Sequence, residues 1–576
     1  MRLKTSLTAT VPLWPLLVIN ALLLLVPKLL LIQWLNQNLW GDIGAGKVAI
    51  VISQDTIVAL GLYVLTITVL RIPGFLRLLV AATVSGALLL FMLIDMRVRQ
   101  LWLKPLDASM VRYFLENAAG LKSGFDFFFR TLSVYSLNFD RVLVYAALLF
   151  ALLWSSIAAS VLSGRTSMDG GWTRARAIAA GSATLILIGL ALSASQFRYQ
   201  VNNNIFTSQA IAWMKTPFAQ PDTAAKALAD AFEQKPQPLN SQLQLSRKIL
   251  TDVQPFKNLV FIVYESMRWR NINILGEGPT LAPTLYELAT GGIVSKCYVA
   301  VPHSAKAYYT LFTGRYPYPG IEMREVVQKT NATIWQYLLE YRHMKSYAIS
   351  SQSLNFESMG ALLKSFGMDP YMTQDLPGAK GKEVQRTSSF GTSDKALYTL
   401  GSQFLSKSSG AFAAFFFPLA AHYPYECSGS DTKRHRLPDY EACVAESDRN
   451  LAEFLAALRR MGLLQDTLLV IVGDHGESFG EHGTYVHNSS LNDEEVSVPL
   501  VFWSQDGRLG HHYIPYSRQI DIVPTIADLM GAMDSTIPVQ GVSVLRQRNM
   551  AVPNFMATFF DNLVQVERIV DGAVKG

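Results

Sequence analysis

Hydrophobic positions are distributed along this chain in two different ways. Up to about residue 195 they form long apolar runs with few charges, whereas beyond about residue 200 short apolar runs alternate with polar and turn-forming residues. Five early stretches, about 11–35, 48–70, 75–96, 141–163 and 174–195, approach or exceed the roughly 20 apolar residues that cross a bilayer as a helix. Ser53, Gln54 and Asp55 interrupt the second of them. A secretory signal does not account for the first, which is too long for a signal core and is followed by further spans. The expected organisation is a transmembrane domain of five helices over 1–195, an amphipathic connector over 196–255 and an extracytoplasmic catalytic domain over 256–576.

The pattern changes again from residue 258. NLVFIVYE (258–265), HMKSYAIS (343–350), GAFAAFFFPLA (410–420), TLLVIVGD (467–474) and VPLVFW (498–503) are short continuous apolar runs. Between them lie helical stretches such as TLAPTLYELAT, ATIWQYLLEY and ACVAESDRNLAEFLAALRRMG. Such alternation predicts an α/β domain whose mainly parallel sheet is covered on both faces. In sheets of this kind the active site collects at the carboxyl ends of the strands. The sequence shows no internal repeat and no low-complexity tract.

Charge refines the picture. Arg2 and Lys4, then Arg71 and Arg77, then Arg165, Arg174 and Arg176 fall on one side of five spans, which puts the amino terminus in the cytoplasm and the large domain on the outer face. These flanking residues largely explain the formal charge of +6, so no nucleic-acid partner is read from it. Lys433, Arg434, His435 and Arg436 make a basic insert between Glu426 and Tyr440; it reads as a solvated loop or as a contact for an anionic acceptor. Of three cysteines, Cys427 and Cys443 can form a disulfide if the domain is extracytoplasmic, leaving Cys297 as a buried thiol.

Candidate chemistry concentrates in TLLVIVGDHGESFGEHGTYVHNS (467–489). A buried strand ends abruptly in Gly473, Asp474 and His475, with His482 and His487 within a loop's reach. A hard oxygen and an imidazole at a strand's carboxyl end read as metal ligands. The first apolar run delivers Glu265 in the same way. In VPHSAKAYYTLFTGRYP (301–317), Ser304 stands where a loop gives way to a helix ending near Gly314. A hydroxyl there faces free N–H groups and the positive end of the macrodipole, which favour a phosphate or an alkoxide. A plain N-cap is the other reading of the same residue.

VYE at 263–265, SAKAYYTLFTGRYP at 304–317, AHYPY at 421–425, VGDHGESFGEHGTYVHN at 472–488, VPLVFW at 498–503 and RQIDIVPTIADLMG at 518–531 resemble, in that order, the sulfatase-like branch of the alkaline phosphatase superfamily. With membrane spans ahead of it, the chain is similar to the lipoteichoic acid synthase and lipid A phosphoethanolamine transferase group. The resemblance implies that Glu265, Ser304, Asp474 and His475 bind one divalent metal, and that Ser304 is the nucleophile. His422 and His487 match positions that hold the donor phosphate or a second metal; Lys306, His303 and His482 are candidates near the same pocket. True sulfatases carry C/S-x-P-x-R, whereas this chain reads Ser304, Ala305, Lys306, Ala307, Tyr308. That departure argues for an unmodified hydroxyl nucleophile.

The expected reaction is transfer of a phosphoethanolamine or phosphoglycerol group from a phospholipid donor to an envelope glycan or lipid acceptor, at the outer face of a bacterial inner membrane. A membrane-anchored phosphodiesterase or sulfatase-type hydrolase and a catalytically silent envelope component are the alternatives. The ligand types suit zinc or manganese, with magnesium less favoured by the imidazole.

Overall fold

A computed structural model describes Thr83, residues 236–241 and most of 253–575, without shorter stretches such as 319–332, 380–390 and 428–436. Apart from Thr83, the five apolar stretches lie outside the described residues, as do nearly all of the connector and the basic insert residues 433–436. Among the described residues no helix is long and apolar enough to cross a membrane.

The centre of the described part is an eight-stranded sheet. In chain order its strands are β1 (Asn258–Tyr264), β2 (Ile293–Tyr298), β3 (Lys345–Ser350), β4 (Asp369–Met372), β5 (Phe412–Phe417), β6 (Thr467–Gly473), β7 (Ser497–Trp503) and β8 (His512–Arg518). Their spatial order is β8-β2-β7-β6-β1-β5-β3-β4. β6, β1, β5, β3 and β4 are mutually parallel, and β8 is parallel to β2. Only β7 runs against its neighbours, pairing antiparallel with both β2 and β6. All seven residues of β6 and all six of β5 are buried, as expected for strands with helices on both faces.

Among the described residues the main helices are α1 (Pro283–Thr290), α2 (Ser304–Thr313), α3 (Ile334–Arg342), α4 (Met359–Ser365), α5 (Asp394–Ser406), α6 (Leu437–Arg460) and α7 (Ile522–Leu529). All five apolar runs became strands, and the three helical stretches became α1, α3 and α6. β2, β4, β8 and a C-terminal antiparallel sheet of β9 (Val552–Ala557), β10 (Val564–Val570) and β11 (Ala573–Lys575) lacked a distinctive apolar run and were not anticipated.

Two features fix the carboxyl edge of the sheet. β6 leaves the sheet at the edge where antiparallel β7 enters it, so no crossover is needed and the residues just after Gly473 and just before Ser497 stay at that edge. α2 is held beneath the sheet by aromatic packing. Phe312 meets Phe415 edge-on at 5.4 Å between centroids and Tyr308 meets Phe417 at 5.0 Å. The Trp335 indole N–H donates to the Phe312 carbonyl at 2.9 Å. Phe312 is fully buried; burial of such a ring is worth about 2–3 kcal/mol. α2 ends as expected at Gly314, whose φ of 66° suits glycine and whose N–H bonds the Thr310 carbonyl at 2.9 Å.

Cys427 and Cys443 form a disulfide across a separation of 16 residues, tying the loop after β5 to α6. Cys297, in β2, is a buried free thiol.

Candidate active site

β1 and β6 are parallel neighbours with Tyr264 opposite Gly473, so the next residue of each, Glu265 and Asp474, leaves the sheet at one place. Asp474 N–H donates to the Tyr264 carbonyl at 2.9 Å, extending the ladder by one bond. Beyond it the strands diverge. Ser266 turns in the left-handed region at φ 56°, and its N–H donates to Asp474 Oδ1 at 3.0 Å. His475 N–H donates to the same oxygen at 2.7 Å. A Cβ at Gly473 would come within 2.8 Å of the Met267 carbonyl oxygen, and one at Gly476 within 1.9 Å of the Glu494 oxygen, so the turn tolerates only glycine at both positions.

Ser304 is the first residue of α2, and the N-cap is His303, which makes no side-chain cap. The plain N-cap reading of Ser304 therefore does not hold. Its hydroxyl lies 3.3 and 3.4 Å from the two Glu265 carboxylate oxygens and 3.2 Å from His475 Nε2. The four residues expected to gather around a metal, Glu265, Ser304, Asp474 and His475, are thus brought together.

The geometry also specifies what they lack. His475 Nδ1 is 2.9 Å from the Gly476 carbonyl; an imidazole that donates there keeps its lone pair on Nε2. That lone pair faces Glu265 Oε1 at 3.4 Å and Asp474 Oδ2 at 3.5 Å. Asp474 Oδ2 is buried and has no hydrogen-bond partner. Three electron-rich atoms converge in a dry site, and a positive charge among them resolves the conflict. Burial, then the neighbouring Asp474 charge, pushes the Glu265 carboxyl well above its usual range. Burial holds His475 at about 4, so the ring is neutral at pH 7, as a metal ligand requires.

His487 completes a cluster. Ligand atoms of Glu265, His475 and His487 lie within 4.8 Å of one another, and the two imidazoles are 4.0 Å apart between centroids. His487 Nδ1 is held by Glu477 Oε1 at 3.1 Å, and burial brings this imidazole down to about 4. Glu477, two residues after His475, is fully buried and joins the site through this contact, a role that only the structure reveals.

His422 stands farther out, its ring 6.5 Å from that of His487. Burial, then the charge of His487, lowers it to about 3. It also lines a cavity of about 660 Å³ together with Asp394, Glu446 and Arg449. Lys306 is fully buried in the first turn of α2. His303 is buried beside it, with Nε2 3.1 Å from Glu357 Oε1, so it is turned to a carboxylate outside the Glu265 cluster. His482 is exposed.

Residues 257–532 match the profile of the Sulfatase family. This part of the chain is similar to a sulfatase domain. A lipoteichoic acid synthase of Staphylococcus saprophyticus is 22% identical over 320 residues, covering 52% of this chain and 49% of that protein. Arylsulfatase K of Canis lupus familiaris is 31% identical over 113 residues, covering 19% of this chain and 21% of its own. The chain therefore spans about half the length of the first relative and about a fifth of the second. Among solved structures, the integral membrane lipooligosaccharide phosphoethanolamine transferase A (EptA) of Neisseria meningitidis aligns over 89% of this chain and 95% of its own, with a TM-score of 0.54 at 13% identity. That likeness is one of fold. This sulfatase-like region carries the Glu265 and Asp474 cluster at the carboxyl edge of its sheet, where open α/β folds bind their ligands.

Proposed function

We propose that this protein is a metal-dependent transferase that moves a phosphoethanolamine or phosphoglycerol group from a phospholipid to an envelope glycan or lipid through a covalent intermediate on Ser304. The observation that carries it is the Ser304 hydroxyl, within 3.4 Å of Glu265 and His475 at the start of a helix. Two similar proteins, a lipoteichoic acid synthase and a phosphoethanolamine transferase, support the same class of reaction.

Glu265, Asp474, His475 and Ser304 would hold a divalent ion, zinc or manganese by ligand type, with His487 beside them. When bound, the ion supplies positive charge that favours the Ser304 alkoxide and neutralises phosphoryl oxygens. Ser304 Oγ attacks phosphorus in line as the bond to the diacylglycerol oxygen breaks, leaving the head group esterified to serine. The first-turn N–H groups of α2 face the phosphoryl oxygens. An acceptor hydroxyl then attacks the same phosphorus, the serine–phosphorus bond breaks, and the acceptor's proton passes to the departing side. His422 or His487 would serve as the acid or base that carries these protons.

Intact mass of the purified full chain, after incubation with phospholipid vesicles and zinc or manganese, tests this reading. A head-group adduct present in the native protein and absent in Ser304→Ala is the expected result, and its mass separates phosphoethanolamine from phosphoglycerol. Steady release of free head group with no adduct and no modified acceptor would establish hydrolysis instead.

A further inference from the structure

The C-terminal segment lies beyond the residues that match the Sulfatase family, which end at 532. It nevertheless touches both loops that carry the site. Ala557 N–H donates to the Ala300 carbonyl at 2.8 Å, in the loop leading to Ser304, and Phe559 N–H donates to the Asn488 carbonyl at 3.1 Å, next to His487. The Phe559 ring stacks on the His303 imidazole, 3.7 Å between centroids and 9° from parallel. Phe559 and Thr558 are fully buried, and His303 is 5% exposed.

The edge of the His303 ring is held as well. Its Nε2 meets Glu357 Oε1 at 3.1 Å, and the Glu357 side chain is 1% exposed. Glu357 reaches that position at a conformational cost, because it and Ser358 both sit in the left-handed region, at φ 47° and 55°. Neither residue is glycine, and such backbone strain is kept only where the surroundings over-determine it. His303 is the N-cap of α2, one residue before Ser304. A ring clamped between a stacked phenyl and a buried carboxylate fixes the backbone from which Ser304 projects.

We propose that the His303 stack of Phe559 and Glu357 is a positioning device, through which the C-terminal segment joins the Ser304 loop to the His487 loop and sets their separation. Phe559 and Glu357 act through His303 and the backbone; neither touches reacting atoms. The proposal rests on Ser304 and His487 facing one common centre, which is the reading given above. A misplacement of a reacting group by about 1 Å costs up to about a hundredfold in rate, so loss of the stack falls on kcat rather than on KM.

The test compares the full-length native chain with Phe559→Ala, Phe559→Leu, Phe559→Tyr and Glu357→Gln. Two quantities are read, the rate of Ser304 adduct formation from phospholipid vesicles and the affinity for zinc measured calorimetrically without lipid. Expected are a fall of roughly tenfold in adduct rate for the alanine and leucine variants, a smaller fall for Glu357→Gln, and recovery in Phe559→Tyr, which keeps the ring stack. Zinc affinity is expected to follow the same order, because the His487 loop loses its tie. If the alanine variant fails to fold, the leucine and tyrosine pair still decides: a simple filler is served equally well by leucine, and equal behaviour of the two would overturn the proposal. Unchanged zinc affinity in all four variants would overturn it too. Absence of any adduct in the native protein would count against the transferase reading alone, and the zinc measurements would then decide the positioning role.

Discussion

Glu477 Oε1 lies 3.1 Å from His487 Nδ1, across ten residues of chain, while its other oxygen accepts the Ser266 hydroxyl at 3.3 Å. One buried carboxylate thus links the loop after β1 to the histidine that returns beside His475. An acceptor on Nδ1 puts the proton there and the lone pair on Nε2. Replacing Glu477 by Ala is expected to weaken divalent-metal affinity by about 10- to 100-fold. Glu477→Gln, which keeps an acceptor, should lose less. Calorimetric titration with zinc checks both, and an unaltered affinity in the alanine variant would show that the Glu477–His487 contact has no part in metal binding.

Metal removal follows from the crowding of Glu265 and Asp474 against the His475 lone pair. Stripping with a chelator should lower the melting temperature, and zinc or manganese at 100 times its Kd should restore about 2.7 kcal/mol. Asp474→Asn is expected to raise the melting temperature of the stripped protein, since it replaces one of two buried carboxylates, and to abolish the response to metal. A stripped Asp474→Asn variant less stable than the stripped native protein would contradict this account.

Gly476 offers a steric test. A Cβ there would lie 1.9 Å from the Glu494 carbonyl oxygen, and Gly476 N–H donates to the Glu495 carbonyl at 2.8 Å. Gly476→Ala must shift the backbone between His475 and Glu477. The expected result is destabilisation by about 2 kcal/mol or more, with loss of metal binding, measured by urea unfolding and zinc titration. A variant of native stability and zinc affinity would mean that the turn is more pliable than its contacts imply.

Glu495, whose carbonyl accepts from Gly476, gives a pH dependence of stability. Burial raises it to about 7 although Ser490 and Ser478 donate to it. Its folded value lies above the ordinary 4.5, so the folded state binds the proton more tightly than the unfolded chain. That stabilisation is complete below about 4.5 and is lost as pH rises to about 7. Glu495→Gln should therefore flatten the decline in unfolding free energy between these limits. Urea unfolding at a series of pH values is the measurement, and an identical slope in the variant would assign the dependence to other groups.

The apolar runs at 258–265 and 467–474 predicted β1 and β6 because a strand covered on both faces must be apolar throughout, and their abrupt ends marked Glu265, Asp474 and His475. Ser304 was legible from the loop-to-helix change, but only the structure brings its hydroxyl beside Glu265 and His475. Glu477 escaped because a single glutamate in a polar loop carries no sign of being buried. Phe559 and Glu357 escaped because contacts spanning 256 and 54 residues to His303 leave no periodic trace.

The sequence by itself determined the α/β class, the strands that end in ligand-type residues and the segments that carry them, since local apolar patterning follows directly from burial. Only the tertiary structure decided which side chains share a centre. Strand order, the reversal of β7 and the return of the C-terminal segment are choices of pairing between distant residues, and their energies are absent from any local stretch of chain.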